Sequence, residues 1–178
     1  MKRILLYIII SVPLLVSAQT VVSIKIDGTI NPVVAEYIHQ GIEKAAAENA
    51  ACLLIHLNTP GGLLKSTRNI VGDILESQVP VVVYVSPAGA HAGSAGVFIT
   101  LAADLAAMAP GTNIGAAHPV TMQGGTDSIM NSKSTNDAAA FIRTIAEYRK
   151  RNLLWAEDAV RQSVAITSSE ALKKISSI

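Results

Sequence analysis

Val81-Val82-Val83-Tyr84-Val85-Ser86-Pro87-Ala88-Gly89-Ala90-His91-Ala92-Gly93-Ser94-Ala95-Gly96 is the stretch on which the reading of this chain turns. Five residues of high strand propensity run into a loop of small residues, and the apolar run Val97-Phe98-Ile99 then opens a buried helix. One hydroxyl, Ser94, stands between Gly93 and Ala95-Gly96. A serine at a strand-to-helix turn, flanked by residues too small to block a substrate, is how many hydrolases present a nucleophile. Ala92 occupies the place where the nucleophile-elbow pattern has glycine, so that pattern is met only in part. Small residues at a turn are common, and the segment alone does not decide function.

Outward from this segment the chain alternates. Val21 to Ile26 reads as a strand, and Asn31-Pro32 opens a helix running to about Glu48, with Val34, Tyr37, Ile38, Ile42 and Ala45 on one stripe. Cys52 to Leu57 is a buried strand in which the single cysteine, Cys52, is expected as a small core residue. Asn58-Thr59-Pro60-Gly61-Gly62 is a loop, Leu63 to Glu76 a helix, Val81 to Val85 a strand, Gly93 to Ala103 a helix and Leu105 to Ala109 a short strand. Between Gly111 and Thr135 no regular element is legible, and Met122 to Ser128 has the composition of a flexible loop. A helix resumes at Asn136 or Asp137, which puts Asp137 near a first turn. Leu153 to Val164 is another helix, and Thr167 with Glu170 reads as the capping box of a last one, with no closing strand after it. The alternation predicts an α/β fold, a parallel sheet covered by helices. Ligands bind such sheets at the carboxyl ends of the strands, so the Thr59–Gly62 and Ala88–Gly96 loops are expected at one edge.

At 178 residues the chain has room for one domain with a sizeable core. It is 50% hydrophobic and 15% charged with a net charge of +1, which argues against disorder and against nucleic-acid binding. Met1-Lys2-Arg3, the apolar run Ile4 to Val16 and Val16-Ser17-Ala18 follow the secretory signal-peptide pattern over residues 1–18. An uncleaved anchor is the rival, but the run falls short of the roughly 20 residues that span a bilayer. The mature chain, 19–178, is therefore expected to begin near Gln19, outside the cytoplasmic membrane. No His, Cys or carboxylate cluster has metal-ligand spacing, so neither metal nor cofactor is expected.

A serine hydroxyl needs a base to take its proton and donors to hold the developing oxyanion. The amide of Ala95 at a helix N-terminus and those of Gly61 and Gly62 in a loop without side chains are candidate donors; a plain tight turn is the competing reading of Pro60-Gly61-Gly62. Two bases are open. Lys133 precedes a helix from a polar stretch and, to act as a base, must lose the proton it ordinarily holds up to a pH of about 10.4. His118, in Gly115-Ala116-Ala117-His118-Pro119, suits a histidine triad. His91 reads as loop-shaping or substrate-edge, and His39 and His56 as structural.

Four motifs in order then point one way. Asn58-Thr59-Pro60-Gly61-Gly62, Ala92-Gly93-Ser94-Ala95-Gly96, Asn113-Ile114-Gly115-Ala116-Ala117-His118-Pro119, and Lys133 ahead of Asn136-Asp137-Ala138-Ala139-Ala140-Phe141-Ile142-Arg143 resemble the NfeD family, membrane-bound proteases of the Clp class related to signal peptide peptidase A. The likeness runs from about Val21 to Leu172. It implies a ClpP/crotonase-type spiral of ββα units. It also implies Ser94 as nucleophile, Lys133 as general base of a Ser–Lys dyad, Gly62 and Ala95 as oxyanion amides, and His118 as the second candidate base. Family members are expected to cleave hydrophobic segments of membrane proteins, with stomatin-like proteins as partners, and to act as homo-oligomers, dimers or larger. Relatives continue into a hydrophobic membrane region and often a small β-barrel. The residues after Leu172 show neither, so the expectation is a protease domain without that region.

Two other readings compete. The crotonase fold uses paired amides on acyl-CoA thioesters, which the signal-peptide pattern disfavours because acyl-CoA is cytoplasmic. The same fold as a non-catalytic scaffold for hydrophobic peptides is the other.

Overall fold

The computed structural model describes residues 19–120 and 128–174. The signal peptide read over residues 1–18 lies outside them, as does the loop read over 122–128 except for Ser128, which opens a helix. Four parallel strands, β1 (Val21–Asp27), β2 (Cys52–Asn58), β3 (Val81–Val85) and β5 (Leu105–Met108), form the main sheet in the order β1-β2-β3-β5. A second sheet has the order β4 (His91–Gly93), β6 (Asn113–Gly115), β7 (Ala165–Thr167), with β7 antiparallel to β6. The helices are α1 (Pro32–Ala47), α2 (Leu64–Glu76), α3 (Ala95–Ala102), α4 (Ser128–Tyr148), α5 (Leu153–Arg161) and α6 (Ser168–Lys174).

Each strand of the main sheet is followed by a shorter extended piece in the second layer and then by a helix. After β1 that piece is Ile30, bridged to Gly62; after β2 it is Thr59, bridged to Ala92; after β3 and β5 it is β4 and β6. The result is four turns of a ββα spiral, as the resemblance implied. Alternation in the strands decides which face is covered: Val22, Ile24 and Ile26 of β1, Leu53, Ile55 and Leu57 of β2, and Val81, Val83 and Val85 of β3 are buried in one core with α1, α2 and α3.

The opposite face is not sheathed by the described residues. Val21, Ser23, Lys25 and Asp27 are exposed, and Cys52, Leu54, His56 and Asn58 are half-buried. Among the described residues the sheet is thus covered by helices on one side only, and Cys52 is a half-buried residue of the other face rather than a core residue. Tyr37 likewise leaves the buried stripe of α1, which is Ala35, Ile38, Gly41, Ile42 and Ala45.

Several boundaries differ from expectation. Gly93 ends β4 instead of starting a helix, because its peptide joins the second sheet through Thr59 and Gly115. β6 and the closing strand β7 are three-residue pieces, too short for a periodicity to show. α5 ends at Arg161, where Ser163 takes φ 54 and turns the chain into β7. α4 begins at Ser128, so Lys133 lies on a helix rather than before one, and Asp137 sits well inside it. The run of Ser, Thr and Asn residues that opens α4 has poor helix propensity and conceals it in the sequence. The capping box is present: Thr167 N–H donates to Glu170 Oε2 at 2.9 Å and Glu170 N–H to Thr167 Oγ1 at 3.4 Å.

Candidate active site

β4 delivers the chain to Ser94, which takes φ 47 and ψ −107. A residue with a Cβ avoids that region, and such strain persists only where surrounding structure enforces it. Here it is enforced from both sides: Ser94 N–H donates to the Gly115 carbonyl at 3.1 Å, and the Ser94 carbonyl accepts from Val97 N–H at 3.0 Å. Every residue of α3 is buried, so the turn is anchored in the core. Ser94 Oγ does not cap its own helix and has no hydrogen-bond partner among the described residues. The turn therefore presents a free hydroxyl.

The loop after β2 lies against that hydroxyl. A Cβ placed on Gly61, whose φ is 124, would come within 2.6 Å of Ser94 Cβ and 3.2 Å of Ser94 Oγ. One on Gly62 would come within 2.0 Å of the Ile30 carbonyl oxygen. Only glycine fits at either place. Thr59, fully buried, ties the loop down: its Oγ1 accepts from Gly61 N–H at 3.1 Å and donates to the Gly61 carbonyl at 3.2 Å. Ile30 N–H donates to Gly61 O and Leu63 N–H to Ile30 O, so the bridge between Ile30 and Gly62 is made by the flanking peptides. Gly61 N–H is thereby used, whereas Gly62 N–H has no acceptor among the described residues. The same holds for Ala95 N–H, the first amide of α3. Two unengaged amides thus flank one free hydroxyl.

A cavity of about 550 Å³ opens over them, with Gly62, Leu64, Ser94, Ala95, Phe98 and His118 among its walls. Leu63 and Val120, both exposed, add apolar surface to its lining. His118 Nδ1–H donates to the Val160 carbonyl at 3.0 Å, which fixes the tautomer and leaves Nε2 as the ring's acceptor. No hydrogen bond joins it to Ser94 among the described residues.

Lys133 is not part of the cavity wall. It lies exposed on α4 and makes no hydrogen bond or ion pair among the described residues. Ala138 is the α4 residue that reaches the wall. Around it α4 is tied to its neighbours through side chains: Arg68 Nη2 of α2 donates to Asp137 Oδ2 at 2.7 Å, and its guanidinium lies 4.1 Å from the centre of the Phe141 ring. Phe141 in turn stacks on Phe98 of the cavity wall, ring centres 5.4 Å apart. On the other side Arg143 of α4 and Arg161 of α5 both donate to Glu157 Oε1, at 2.8 and 2.6 Å, and these bonds hold its carboxyl below the usual carboxylate range.

The structure thus brings Ser94, Gly62, Ala95 and His118 to one cavity and leaves Lys133 out of its wall. Sequence reasoning missed Thr59, Phe98 and Asn58. Asn58 Oδ1 accepts from His91 N–H at 3.1 Å while its Nδ2 donates to Asp27 Oδ1 at 2.9 Å, fixing the start of β4. A threonine two residues before a glycine amide is a side-chain turn signal, and that would have flagged Thr59. The other two announce themselves only through long-range contacts. His56 bonds Ser86 Oγ at 2.9 Å and stands edge-on to Tyr84, and His39 faces Asp73 at 3.3 Å at the surface; neither approaches the cavity.

Comparison with known proteins gives the family and the fold. The family model described as NfeD1b, N-terminal domain, matches residues 20–175. The membrane-bound protease PH1510 of Pyrococcus horikoshii is 38% identical over 178 residues, covering 97% of this chain and 40% of the relative. The membrane protein NfeD1b of Bacillus subtilis is 38% identical over 106 residues, covering 60% of this chain and 24% of that one. The chain therefore spans less than half the length of either. Among solved structures, a serine-to-alanine mutant of the 1510-N membrane-bound stomatin-specific protease aligns with TM-score 0.83 and 36% identity over 90% of this chain and 79% of that one. A lysine-to-alanine mutant of the same protease, in complex with a substrate peptide, aligns with TM-score 0.81 and 36% identity over 89% and 74%.

Proposed function

The chain belongs to the NfeD1b N-terminal-domain family, and on that premise we propose that it is a serine endopeptidase domain in which Ser94 is the nucleophile and Lys133 the general base. The observation that carries the reading is the Ser94 turn: a strained, unpartnered hydroxyl between the unengaged amides of Gly62 and Ala95, at the floor of an apolar cavity. The named activity of the 1510-N relative, and its serine and lysine mutants, support the same assignment.

In the proposed reaction Lys133 Nζ, in its neutral form, takes the Ser94 proton as Oγ attacks the scissile carbonyl carbon. The carbonyl π pair moves onto oxygen, which Gly62 and Ala95 N–H hold. As the oxyanion collapses the C–N bond breaks, and the Lys133 ammonium protonates the leaving amine. Water, deprotonated by the same amine, then attacks the acyl carbon; the C–Oγ bond breaks and the Lys133 ammonium returns the proton to Ser94 Oγ. Because Lys133 stands outside the wall, the dyad forms when a bound peptide draws the first turns of α4 over Ser94.

The apolar wall suits hydrophobic peptide segments of membrane-associated proteins, and stomatin-like proteins are the proposed class by analogy with the 1510-N relative. Among the described residues no helix is long and apolar enough to cross a membrane. An extracytoplasmic location and assembly into homo-oligomers are part of the same proposal, tested by fractionation and by sedimentation.

Ser94→Ala and Lys133→Ala are each expected to lower kcat at least about 10³-fold on a hydrophobic peptide while melting as the unaltered chain does. Cleavage surviving Ser94→Ala sinks the proposal. One observation favours a second reading: His118, unlike Lys133, already lines the cavity with its Nδ1 committed to a carbonyl. If His118→Ala abolishes cleavage and Lys133→Ala does not, a histidine base replaces the lysine.

A further inference from the structure

Lys133 and Asp137 lie four residues apart on α4. Residues so spaced are neighbours on one helix face, with Cβ atoms about 5–6 Å apart. The side chains one turn from Lys133 in either direction are Ile129, Met130, Asn136 and Asp137, so Asp137 is the one charged group among them. A carboxylate there is a natural trap for the amine. A paired ammonium is a donor only, with no lone pair to receive the Ser94 proton, and an adjacent carboxylate favours that charged form.

The trap is occupied. Asp137 is bonded to Arg68 of α2 at 2.7 Å, and Lys133 makes no ion pair among the described residues. Arg68 is well suited to win this competition. Its guanidinium is charged at every accessible pH, and it is fixed face-on against Phe141 at 4.1 Å. Lysine placed N-terminal to the acid at this spacing is also the weaker order of helical pair. The other acids of α2, α4 and α5 are Asp73, Glu76, Glu147, Glu157 and Asp158, and none of them lies within one turn of Lys133 along α4. Glu157 is already shared by Arg143 and Arg161.

We propose that Arg68 is a positioning residue: by holding the Asp137 carboxylate it keeps the Lys133 amine unpaired and available to Ser94. The role rests on the Ser94–Lys133 reading and extends it to a residue that touches neither the cavity nor the hydroxyl. It also separates two functions of one contact. The Arg68–Asp137 bond ties α2 to α4, and it disarms an acid beside the base. Only the second predicts that removing the acid repairs loss of the arginine.

The test is steady-state cleavage of a fluorescence-quenched peptide of leucine, valine and alanine by the 178-residue chain, with Lys133→Ala as the inactive reference. Arg68→Gln keeps a planar group over Phe141 and removes the charge. It is expected to lower kcat about tenfold, the effect of one unit in the proton affinity of a base, and to leave KM within twofold. Arg68→Gln/Asp137→Asn is expected to recover kcat to within threefold of the unaltered chain. Asp137→Asn alone is expected to match the unaltered chain or exceed it, and this variant decides the matter even if Arg68→Gln does not fold. A double variant as impaired as Arg68→Gln, or a tenfold loss in Asp137→Asn alone, overturns the proposal, because either makes the contact a tether. Full activity in the Lys133→Ala reference is a different failure: it removes the dyad itself, whatever the arginine does.

Discussion

The two halves of the candidate site are built in opposite ways. On the nucleophile side, the β4–α3 turn and the Thr59–Gly62 loop are made of backbone and very small side chains, locked by buried Thr59 and by a helix with no exposed residue. On the base side, α4 carries Lys133 in the open and is held by long side chains meeting at its surface, Arg68 with Asp137 and Glu157 with two arginines. The difference follows from what each half has to do in the proposed reaction. Oxyanion stabilisation gains from donors that do not reorganise, which buried peptide groups supply. A lysine base has to lose a proton, and in the proposed reaction closure of the exposed helix over substrate lets it do so on demand.

If that contrast is right, the two halves should break differently. The largest effect on stability is expected from Gly61→Ala. The added methyl would meet Ser94 Cβ at 2.6 Å at a φ of 124, so the loop must retreat from the hydroxyl and take the Gly62 amide with it. Loss of one oxyanion donor lowers kcat about 10²–10³-fold, and the strain costs about 1–3 kcal/mol of stability. Both are measurable, by initial rates and by thermal unfolding. A Gly61→Ala chain that keeps its rate would show that the loop is an ordinary turn.

A smaller effect of opposite sign tests whether the nucleophile turn stores strain. Ser94→Gly removes the Cβ that makes φ 47 unfavourable. It is expected to abolish cleavage and to stabilise the chain by about 1 kcal/mol, which raises the melting temperature by roughly 2–4 °C in a domain of this size. Ser94→Ala, which keeps the Cβ, should not share the gain. Equal melting of the two variants would show that the turn is not strained.

The same contrast governs what the sequence made legible. The nucleophile side was readable because its requirements are written in residue type. Glycines are needed where no Cβ fits, alanines where a substrate must pass, and a strand-to-helix switch fixes Ser94, so the turn and its partner loop can be placed side by side from topology alone. The main sheet was readable for a similar reason, since Val22, Ile24 and Ile26 alternate with residues that face outward. The base side was not. The opening of α4 is hidden by serines, threonines and asparagines of poor helix propensity, and its ties depend on Arg68 meeting Asp137 across 69 positions of sequence. β6 and β7, at three residues each, and the half-buried face of the sheet at Cys52 depend on partners that no local pattern records.

The smallest effect is expected on the base side, and pH isolates it. Bonds from Arg161 first, then Arg143, hold the Glu157 carboxyl below its ordinary value of 4.5. A carboxyl of lowered affinity binds fewer protons folded than unfolded, so stability rises with pH across the interval between the two values. The contribution is complete above the ordinary value and is lost as the pH falls through the folded one. Glu157→Gln should therefore lower the melting temperature slightly at pH 7, and the gap to the unaltered chain should close as the solution is acidified past that interval. Cleavage at pH 7 should fall little, because the variant loosens α4 against α5 without touching Ser94, Gly62 or Ala95. A Glu157→Gln chain whose melting gap is the same at acid and neutral pH would place the stabilisation in packing rather than charge. One that loses as much activity as Gly61→Ala would mean that the base side is as tightly built as the nucleophile side, and the contrast between the two would fail.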